Sequence, residues 1–198
     1  MGTVTIATFM TLDGIMQAPG GPDEDRDGGF EHGGWSFPYF SEDMGEVIGD
    51  AFANAECFLL GRKTYEIFAA SWPNFPDKDD PVASKLNNLP KYVVSTTLEE
   101  PLEWNNSTLI TDDVPNRLAK LKERPGGDLL VFGSGDLVQT LMEQDLVDEY
   151  RLQLYPLVLG SGKRLFRDSN PTAGLRLVES TISKTGTLIV TYAPEGPK

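Results

Sequence analysis

The sequence predicts an α/β fold: a mixed, mainly parallel sheet with helices on both faces and an antiparallel hairpin at its C-terminal end. The first observation is that short strand-like segments alternate with helical segments up to about residue 145, which is typical of parallel strands joined by crossover helices. The second is that two strand-like segments near the C-terminus are separated only by Lys184-Thr185-Gly186, as in a hairpin. Because no internal repeat or linker composition interrupts the chain, a single domain over residues 1–198 is expected.

The predicted strands are short runs of β-branched, aromatic or aliphatic residues. The first, residues 3–9, alternates threonine with apolar side chains. Residues 57–60 and 128–132 are apolar almost throughout, which favours strands buried on both faces. In chain order, the predicted strands cover residues 3–9, 57–60, 91–96, 108–111, 128–132, 149–155, 175–183 and 187–192.

The predicted helices carry their apolar residues on one face. Ser41 is a suitable N-cap, and Glu42 and Asp43 complement the positive end of a helix dipole, so the first helix is expected to begin there and to run to residue 55. The remaining helices are expected at residues 63–70, 114–124 and 137–144, with a short one at 82–86 inside a proline-containing surface segment.

Composition argues against several classes of function. The chain has a net charge of −13, and an acidic surface repels nucleic acids and anionic lipids, so neither is an expected partner. No segment has the pattern of a secretory signal or the length of a membrane span, which leads us to expect a cytoplasmic protein. The single cysteine, Cys57, excludes an internal disulfide, and its apolar surroundings predict a buried thiol.

Residues 17–34 form a long loop rich in glycine, proline and acidic residues. Loops of this length in compact domains are usually lids, binding loops or disordered segments. Because Trp35, Phe37, Tyr39 and Phe40 follow directly, we expect a loop that closes over a bound molecule; the alternative is a loop pinned to the core by its aromatic end. The acidic run at 23–27 lacks the spacing of a calcium loop and is assigned to solvation.

Two junctions between a buried strand and a helix are candidate anion sites. At the first, Gly61 is followed by Arg62, Lys63 and Thr64; at the second, Gly133-Ser134-Gly135 links a strand to a helix. A helix N-terminus presents free amide N–H groups and the positive end of its dipole. Since ligands of open α/β sheets bind at the carboxyl ends of the strands, the two junctions together are suited to two linked phosphates. The alternative at the first junction is an ordinary turn with basic surface residues.

The sequence matches the motifs of three other functional classes poorly. Val138 stands where a Rossmann fingerprint needs its third glycine, and the acidic residue expected about twenty positions later is missing. His32 is the single histidine, and there is no Gly-x-Ser-x-Gly motif, which argues against a serine hydrolase triad. One histidine and one cysteine do not make a transition-metal site, so no metal is predicted.

Five short motifs occur in the order and rough spacing of a known family. They are Thr11-Leu12-Asp13-Gly14, Trp35 with Pro38-Tyr39, Leu59-Leu60-Gly61-Arg62-Lys63-Thr64-Tyr65-Glu66, Val131-Phe132-Gly133-Ser134-Gly135 and Pro156-Leu157-Val158-Leu159-Gly160-Ser161-Gly162. Nearly the whole chain thereby resembles the dihydrofolate reductase-like family, which includes the C-terminal reductase domain of the bifunctional riboflavin-biosynthesis protein. The resemblance implies a three-layer sandwich of about eight strands, NADPH as the cofactor, a pterin- or pyrimidine-like substrate such as a phosphoribosylaminouracil, and a homodimer.

The resemblance also assigns residues to the cofactor. The family's Gly-Arg-x-Thr turn holds phosphates of the dinucleotide, and its glycine-rich turn lies against the pyrophosphate. These turns are matched here by Gly61, Arg62, Lys63 and Thr64, and by Phe132, Gly133, Ser134, Gly135, Asp136 and Leu137. Dihydrofolate reductases usually have a cis peptide between two glycines in the second turn, where this chain has Gly133-Ser134.

Two further parts of the cofactor site follow from the resemblance. Ser95 and Thr96 match positions that contact the adenosine ribose and its 2′-phosphate; no arginine lies beside them, which leaves the choice between NADPH and NADH open. Residues 13–16 match the start of the mobile loop beside the nicotinamide, and Asp13 and Ile15 are the cofactor residues expected there.

On the substrate side, Trp35, Tyr39 and Asp43 are the expected residues. In dihydrofolate reductases an acid on the helix after the first loop binds the pterin and assists protonation; Asp43 is its counterpart here, and Glu42 competes for the role. Either acid could equally complement the helix dipole. The long loop at 17–34 has no close counterpart in dihydrofolate reductases, which argues against folate. A non-catalytic nucleotide-binding module and a flavin-dependent enzyme remain alternatives to a nicotinamide-dependent reductase.

Overall fold

The computed structural model of the protein describes residues 2–76, 79–124 and 126–196. Eight strands form one sheet. They are β1 (Thr3–Thr11), β2 (Ala55–Gly61), β3 (Lys91–Val94), β4 (Ser107–Ile110), β5 (Asp128–Phe132), β6 (Glu149–Tyr155), β7 (Leu175–Ile182) and β8 (Leu188–Pro194). Five α-helices accompany them: α1 (Glu42–Ala53), α2 (Arg62–Ser71), α3 (Pro81–Asn88), α4 (Val114–Lys122) and α5 (Gly135–Glu143).

The sheet has the strand order β4-β3-β2-β5-β1-β6-β8-β7. Every pair from β4 through β6 is parallel, whereas β8 is antiparallel to both β6 and β7. The predicted mixed, mainly parallel sheet with an antiparallel C-terminal hairpin is therefore confirmed. All eight predicted strands are present, with boundaries that differ by a few residues.

The core has two layers because side chains alternate between the faces of each strand. On one face, Val4 of β1 and Val131 of β5 pack with Leu118 of α4 and Val138 of α5. On the other face, Leu130 of β5 belongs to the cluster that contains side chains of α1, α2 and α3. Helices thus cover both faces of the parallel part of the sheet, as its apolar strand sequences require.

The helices α3 and α1 begin with different capping arrangements. The short helix predicted at 82–86 extends over Pro81–Asn88, because Asp80 accepts a hydrogen bond from the backbone N–H of Ala83 at 2.7 Å and caps its first turn. Ser41 occupies the N-cap position of α1, but its side chain makes no capping bond to the helix backbone. Its hydroxyl donates instead to Asp43 at 2.5 Å.

The segment between β6 and β7 runs back to the first loop rather than joining the sheet. Ile15 and Arg164 form an isolated antiparallel bridge, and the backbone N–H of Met16 donates to the carbonyl of Lys163 at 2.8 Å. This contact brings residues near 163 beside residues near 16, although about 150 positions separate them in the chain. Among the described residues, no helix is both long and apolar enough to span a bilayer.

Candidate functional site

A cleft of about 440 Å³ opens where β2, β3 and β5 end and the chain turns into helices or loops. Its volume lies in the range of small-molecule sites, and its place at the carboxyl ends of parallel strands is the usual one for ligands of open α/β sheets. Eleven of the predicted cofactor residues line it: Gly61, Arg62, Lys63, Thr64, Ser95, Thr96, Gly133, Ser134, Gly135, Asp136 and Leu137.

The two strand-to-helix junctions lie side by side because β2 and β5 are neighbouring parallel strands. The backbone N–H of Gly61 donates to the hydroxyl oxygen of Ser134 at 3.0 Å, and the backbone N–H of Ser134 donates to the hydroxyl oxygen of Thr64 at 3.0 Å. Each junction therefore holds the other through a side-chain hydroxyl. This reciprocal pair fixes the distance between the N-termini of α2 and α5.

The first-turn residues of both helices line the cleft. The N–H groups of the first residues of a helix have no intrahelical acceptor, and here α2 begins at Arg62 and α5 at Gly135. Gly133 (φ 70°) and Ser134 (φ 56°) are both in the left-handed region, which makes the chain turn sharply from β5 into α5. The peptide between them is not cis; among the described residues the one cis peptide precedes Pro101.

Four basic side chains line the cleft: Arg62, Lys63, Lys163 and Arg167. Each of them faces a carboxylate of the protein itself. Arg62 pairs with Glu66 one helical turn away at 3.1 Å, and Arg167 pairs with Asp136 at 2.7 Å. These pairs are largely exposed, so each is worth only a fraction of a kcal/mol to about 1 kcal/mol.

The two lysines are paired with the loop that follows β1. Lys63 contacts the carboxylates of Asp27 and Asp25, and Lys163 lies 2.5 Å from Asp25 and 2.9 Å from Asp27. Asp25 is largely buried in this arrangement, with 15% of its side chain exposed. The assignment of residues 23–27 to solvation is therefore wrong for Asp25 and Asp27, because the fold brings two lysines from other segments to them.

The side chain of Gln17 ties this loop to the rest of the cleft wall. Its Nε2 donates to the backbone carbonyls of Asp25 and Asp27 at 3.2 and 3.1 Å, and its Oε1 accepts from the backbone N–H of Lys163 at 3.0 Å. Gly33 lets the two arms of the loop meet, since a Cβ there would lie 2.4 Å from the carbonyl oxygen of Gly21. The predicted closing loop thus lies over one side of the cleft.

Glu24 also lies in this loop and lines the cleft. Its carboxylate accepts a hydrogen bond from the backbone N–H of Gly20 at 2.6 Å. Burial raises the pKa of Glu24, and the neighbouring charge of Asp25 acts in the same direction. The cleft therefore contains one carboxyl group that protonates more readily than an exposed glutamate.

At the end of β3, Ser95 and Thr96 lie where the adenosine end of a dinucleotide was predicted. The hydroxyl oxygen of Ser95 accepts from the backbone N–H groups of Thr97 and Leu98, both at 3.1 Å, so it stabilises the turn that follows the strand. Thr96 and Thr97 also line the cleft. This turn supplies hydroxyl groups and contains no arginine.

Three predicted cofactor residues lie outside the cleft lining. Ile15 is fully buried in the core. Phe132 packs edge-to-face against Phe9, with ring centroids 5.6 Å apart. Asp13 accepts hydrogen bonds from the Thr11 hydroxyl at 2.6 Å and the Gly160 backbone N–H at 2.8 Å, so its carboxylate joins the end of β1 to the turn at residues 160–162. Desolvation by itself would raise the pKa of Asp13. The hydrogen bonds outweigh it and hold the pKa of Asp13 below its usual value.

The predicted substrate residues Trp35 and Tyr39 belong to an aromatic cluster next to the first loop. Both rings pack edge-to-face against Tyr155, with centroid distances of 5.2 and 5.8 Å. Trp35 is buried, and its indole N–H donates to the carbonyl of Gln17 at 2.7 Å. The loop is therefore pinned to the core by its aromatic end at the same time as it lies over the cleft.

Asp43, the predicted catalytic acid, is bound to another part of the chain. Its carboxylate accepts from the Ser41 hydroxyl at 2.5 Å and from the backbone N–H of Lys184 at 2.8 Å, in the turn between β7 and β8. These hydrogen bonds, that of Ser41 first, hold the pKa of Asp43 below its usual value. Asp43 and its competitor Glu42 are both absent from the cleft lining.

Sequence reasoning missed Lys163 and Arg167, which complete the cleft wall beside Met16 and Gln17 of the first loop. The basic run at 163–167 in an acidic chain was a visible signal, because local cations are what an anion site in such a protein requires. Its position beside α5 was not visible, since it depends on the contact between residues 15 and 164.

Comparison with protein families and curated proteins gives consistent matches. A family model described as the RibD C-terminal domain matches residues 2–190. The chain is 29% identical over 185 residues to the uncharacterized protein YyaP of Bacillus subtilis (strain 168), covering 92% of this chain and 90% of that protein. It is also 29% identical over 128 residues to the uncharacterized protein YwjB of the same strain, covering 65% of this chain and 68% of that protein.

Solved structures share the fold at low sequence identity. A putative riboflavin biosynthesis protein from Shewanella sp. PV-4 superposes with a TM-score of 0.73 at 19% identity, covering 98% of this chain and 99% of that one. A pyrimidine reductase-like protein from Corynebacterium diphtheriae gives 0.66 at 12% identity, with 99% and 93% coverage. Dihydrofolate reductase from Enterococcus faecalis, complexed with NADP(H) and a second ligand, gives 0.60 at 12% identity, with 98% and 96% coverage.

Proposed function

The chain belongs to the family of the RibD C-terminal domain, and on that premise we propose that it is an NADPH-dependent reductase. It transfers a hydride to a C=N or C=O group of a small heterocyclic substrate of the pterin or pyrimidine type. The pyrimidine reductase-like protein and the NADP(H)-bound dihydrofolate reductase that share its fold support this class of reaction.

One observation carries the proposal: the N-termini of α2 and α5 are held side by side by the hydrogen bonds from Gly61 to Ser134 and from Ser134 to Thr64. A diphosphate presents two adjacent negative charges, and two adjacent helix N-termini present two sets of free amide groups to match them. Fixing the distance between the two sets in advance lowers the entropy lost on binding.

The donor set of the cleft fits a dinucleotide. Lys63, Lys163 and Arg167 supply positive charge beside the amides, and Ser95, Thr96 and Thr97 supply hydroxyl groups at the far end. When bound, a reduced nicotinamide supplies the hydride, and the protein supplies orientation and exclusion of water. The lack of an arginine beside Thr96 makes us expect only a modest preference for NADPH over NADH.

Asp43 is proposed as the residue that assists protonation, with Glu42 as the alternative. Its carboxylate lies at the N-terminal end of α1 and accepts from Lys184, next to Thr185, whose hydroxyl donates to the backbone carbonyl of Tyr39 at 2.8 Å. For Asp43 to reach a substrate, the contact between its carboxylate and the turn at residue 184 has to open.

The direct test is titration with NADPH followed by an oxidation assay. We expect NADPH to quench tryptophan fluorescence with a dissociation constant in the micromolar range, and a panel of pterins and pyrimidines to contain a substrate that oxidises it. Absence of binding up to millimolar NADPH would reject the proposal, because the phosphate cradle is its foundation.

A non-catalytic nucleotide-binding module is the second candidate, and the position of Asp43 favours it: its carboxylate is occupied by Ser41 and Lys184 outside the cleft. The two candidates predict different effects of Asp43→Asn. If the protein is a reductase that uses Asp43, the substitution leaves NADPH affinity unchanged and lowers turnover by tenfold or more. A non-catalytic module binds NADPH equally well with aspartate or asparagine at position 43. It oxidises NADPH with none of the substrates in the panel.

We further propose a homodimer formed through the C-terminal hairpin. Strand β7 is the edge of the sheet, and it exposes Leu177, Val178 and Ile182, which are 50%, 49% and 66% accessible. An exposed edge with apolar side chains is a site at which a second chain pairs or packs.

A further inference from the structure

We propose that Lys63 and Lys163 form one anion subsite, which the carboxylates of Asp25 and Asp27 fill when no phosphate is bound and leave when a ligand's phosphate takes their place. This inference rests on the proposed function, since it describes how the cleft receives a phosphorylated cofactor. It pairs Lys163 with Lys63 in one subsite and gives the loop at 17–34 a part in binding.

The geometry is that of a ligand held between two cations. A single carboxylate oxygen of Asp27 contacts both Lys63 and Lys163, and Asp25 approaches the same two lysines through its two oxygens. Lys63 belongs to the first turn of α2 and Lys163 to the segment that pairs with residue 15. The carboxylates therefore join two walls of the cleft at the level of the helix N-termini.

A phosphate group suits the same position better than a carboxylate. It carries up to two negative charges and three acceptor oxygens, so it can contact both ammonium groups and a free amide of the helix at once. Two carboxylates bring the same total charge but make no contact with the amides of α2 among the hydrogen bonds of the described residues.

Of the four charged groups, Asp25 is the most buried at 15% exposure, and the other three are exposed enough for their ion pairs to break. Lys63, Asp27 and Lys163 are 41%, 47% and 35% exposed, and ion pairs with this exposure are screened by water and individually weak. The acidic residues lie between the glycine pairs at 20–21 and 28–29, where the backbone can change direction at low cost. The chain between them has no regular structure beyond one 3-10 turn at Asp27–Gly29.

The first experiment measures the affinity of inorganic pyrophosphate by calorimetry. Asp25→Asn combined with Asp27→Asn removes the internal competitor without changing side-chain size, so pyrophosphate should bind about threefold to tenfold more tightly, the effect of one or two exposed ion pairs. Lys163→Gln should weaken binding by a similar factor. Glu46→Gln combined with Asp50→Asn is the control, because it changes the net charge equally on the exposed side of α1.

Wild-type protein provides a second readout that needs no substitution. Arg26 lies between the two aspartates, and its side chain is 70% exposed. Pyrophosphate should accelerate trypsin cleavage after Arg26 severalfold, because displaced carboxylates free the loop to enter the protease. Mass spectrometry identifies the cleavage site.

Three results would overturn the inference: pyrophosphate affinity in the double aspartate variant no higher than in the charge control, unchanged affinity in Lys163→Gln, or cleavage at Arg26 that pyrophosphate leaves unchanged or slows. Pyrophosphate carries no nicotinamide, so these outcomes are independent of the reductase assay. If the protein oxidises no NADPH but the pyrophosphate results are as expected, the proposed function is rejected, and the exchange of the two carboxylates for a phosphate still stands.

Discussion

At the scale of single residues, Ser134 makes two useful hydrogen bonds but has a backbone conformation that is unfavourable for a serine. Its hydroxyl accepts the Gly61 N–H and its own N–H donates to Thr64, yet its backbone lies in the left-handed region at φ 56° and ψ 49°. A residue with a Cβ is destabilised there by about 1–2 kcal/mol. Strain of this kind persists where the surrounding hydrogen bonds fix the conformation, and it is concentrated at binding sites.

Substituting Ser134 separates these two contributions. Ser134→Gly loses the hydroxyl but relieves the backbone strain. Ser134→Ala also loses the hydroxyl, but the strain remains. We expect Ser134→Ala to be less stable than Ser134→Gly by about 1 kcal/mol in urea denaturation, and both to bind NADPH more weakly than wild type. Equal stabilities of the two variants would show that the left-handed conformation carries no strain.

Lys91 is a second residue whose environment can be measured. It is fully buried at the start of β3; its ammonium donates to the carbonyls of Leu86 and Leu89 at 2.8 and 3.0 Å and lies 4.5 Å from the ring centroid of Trp104. It thereby satisfies carbonyls at the C-terminal end of α3. Burial lowers the pKa of Lys91 to about 8 from an ordinary value of 10.5.

This shift predicts a pH dependence of stability. Between about pH 8 and 10.5 the unfolded chain binds the Lys91 proton more tightly than the folded chain does, so folding is favoured increasingly as the pH rises. The unfolding free energy of wild type minus that of Lys91→Met should grow across this window, with a slope of at most about 1.4 kcal/mol per pH unit. Parallel curves for the two proteins would contradict the lowered pKa.

At the scale of elements, the C-terminal hairpin has two different surroundings. Its turn is held to the start of α1, where Asp43 accepts from Lys184 and the Thr185 hydroxyl donates to the carbonyl of Tyr39. Its outer strand β7 has one neighbour in the sheet and is exposed along most of its length. The turn is therefore anchored, whereas the outer edge of β7 pairs with no other strand among the described residues.

The proposed dimer can be tested on this strand. Val178→Glu combined with Ile182→Glu should convert a dimer into a monomer, because two buried charges at an apolar interface are strongly unfavourable. Light scattering after size exclusion gives the mass. Val158→Glu is the control, since Val158 is 68% exposed and lies outside the hairpin. A wild-type monomer, or a double variant that remains dimeric, would contradict this interface.

At the scale of the whole molecule, the cleft depends on segments from most of the chain. Lys63 follows β2, Gly135 follows β5, and Lys163 follows β6, so a ligand bound there contacts elements that unfolding would separate. The protein is also strongly acidic, with a net charge of −13, so the attraction for an anionic ligand comes from a few local cations and amides.

Ligand binding should therefore stabilise the entire fold. NADPH at one hundred times its dissociation constant adds about 2.7 kcal/mol to the unfolding free energy, which for a chain of this size raises the thermal midpoint by about 5–10 °C. At the same NADPH concentration, Lys63→Gln should show a smaller rise than Lys120→Gln, which removes an exposed charge of α4 away from the cleft. Equal shifts for the two variants would place the phosphates elsewhere.

Much of the fold and part of the site could be predicted from local sequence. The alternation of residues 3–9 matches the pleat of a sheet, and the short apolar runs that contain Leu59 and Leu130 are typical of strands buried on both faces. The turns at Gly61 and Gly133 could be predicted because a buried strand that leads through glycine into a helix has few other conformations. Their neighbouring positions follow from the pairing of β2 with β5.

Tertiary structure alone decided what faces those turns. Lys163 meets Asp25 across 138 positions of the chain, and Asp43 meets Lys184 across 141, and no local pattern encodes either contact. Secondary structure responds to interactions between residues a few positions apart, so the sequence by itself determined the strands, the helices and the two glycine turns. The pairing of charges in the cleft depends on how distant loops fold back over the sheet, and that is settled only when the whole chain packs.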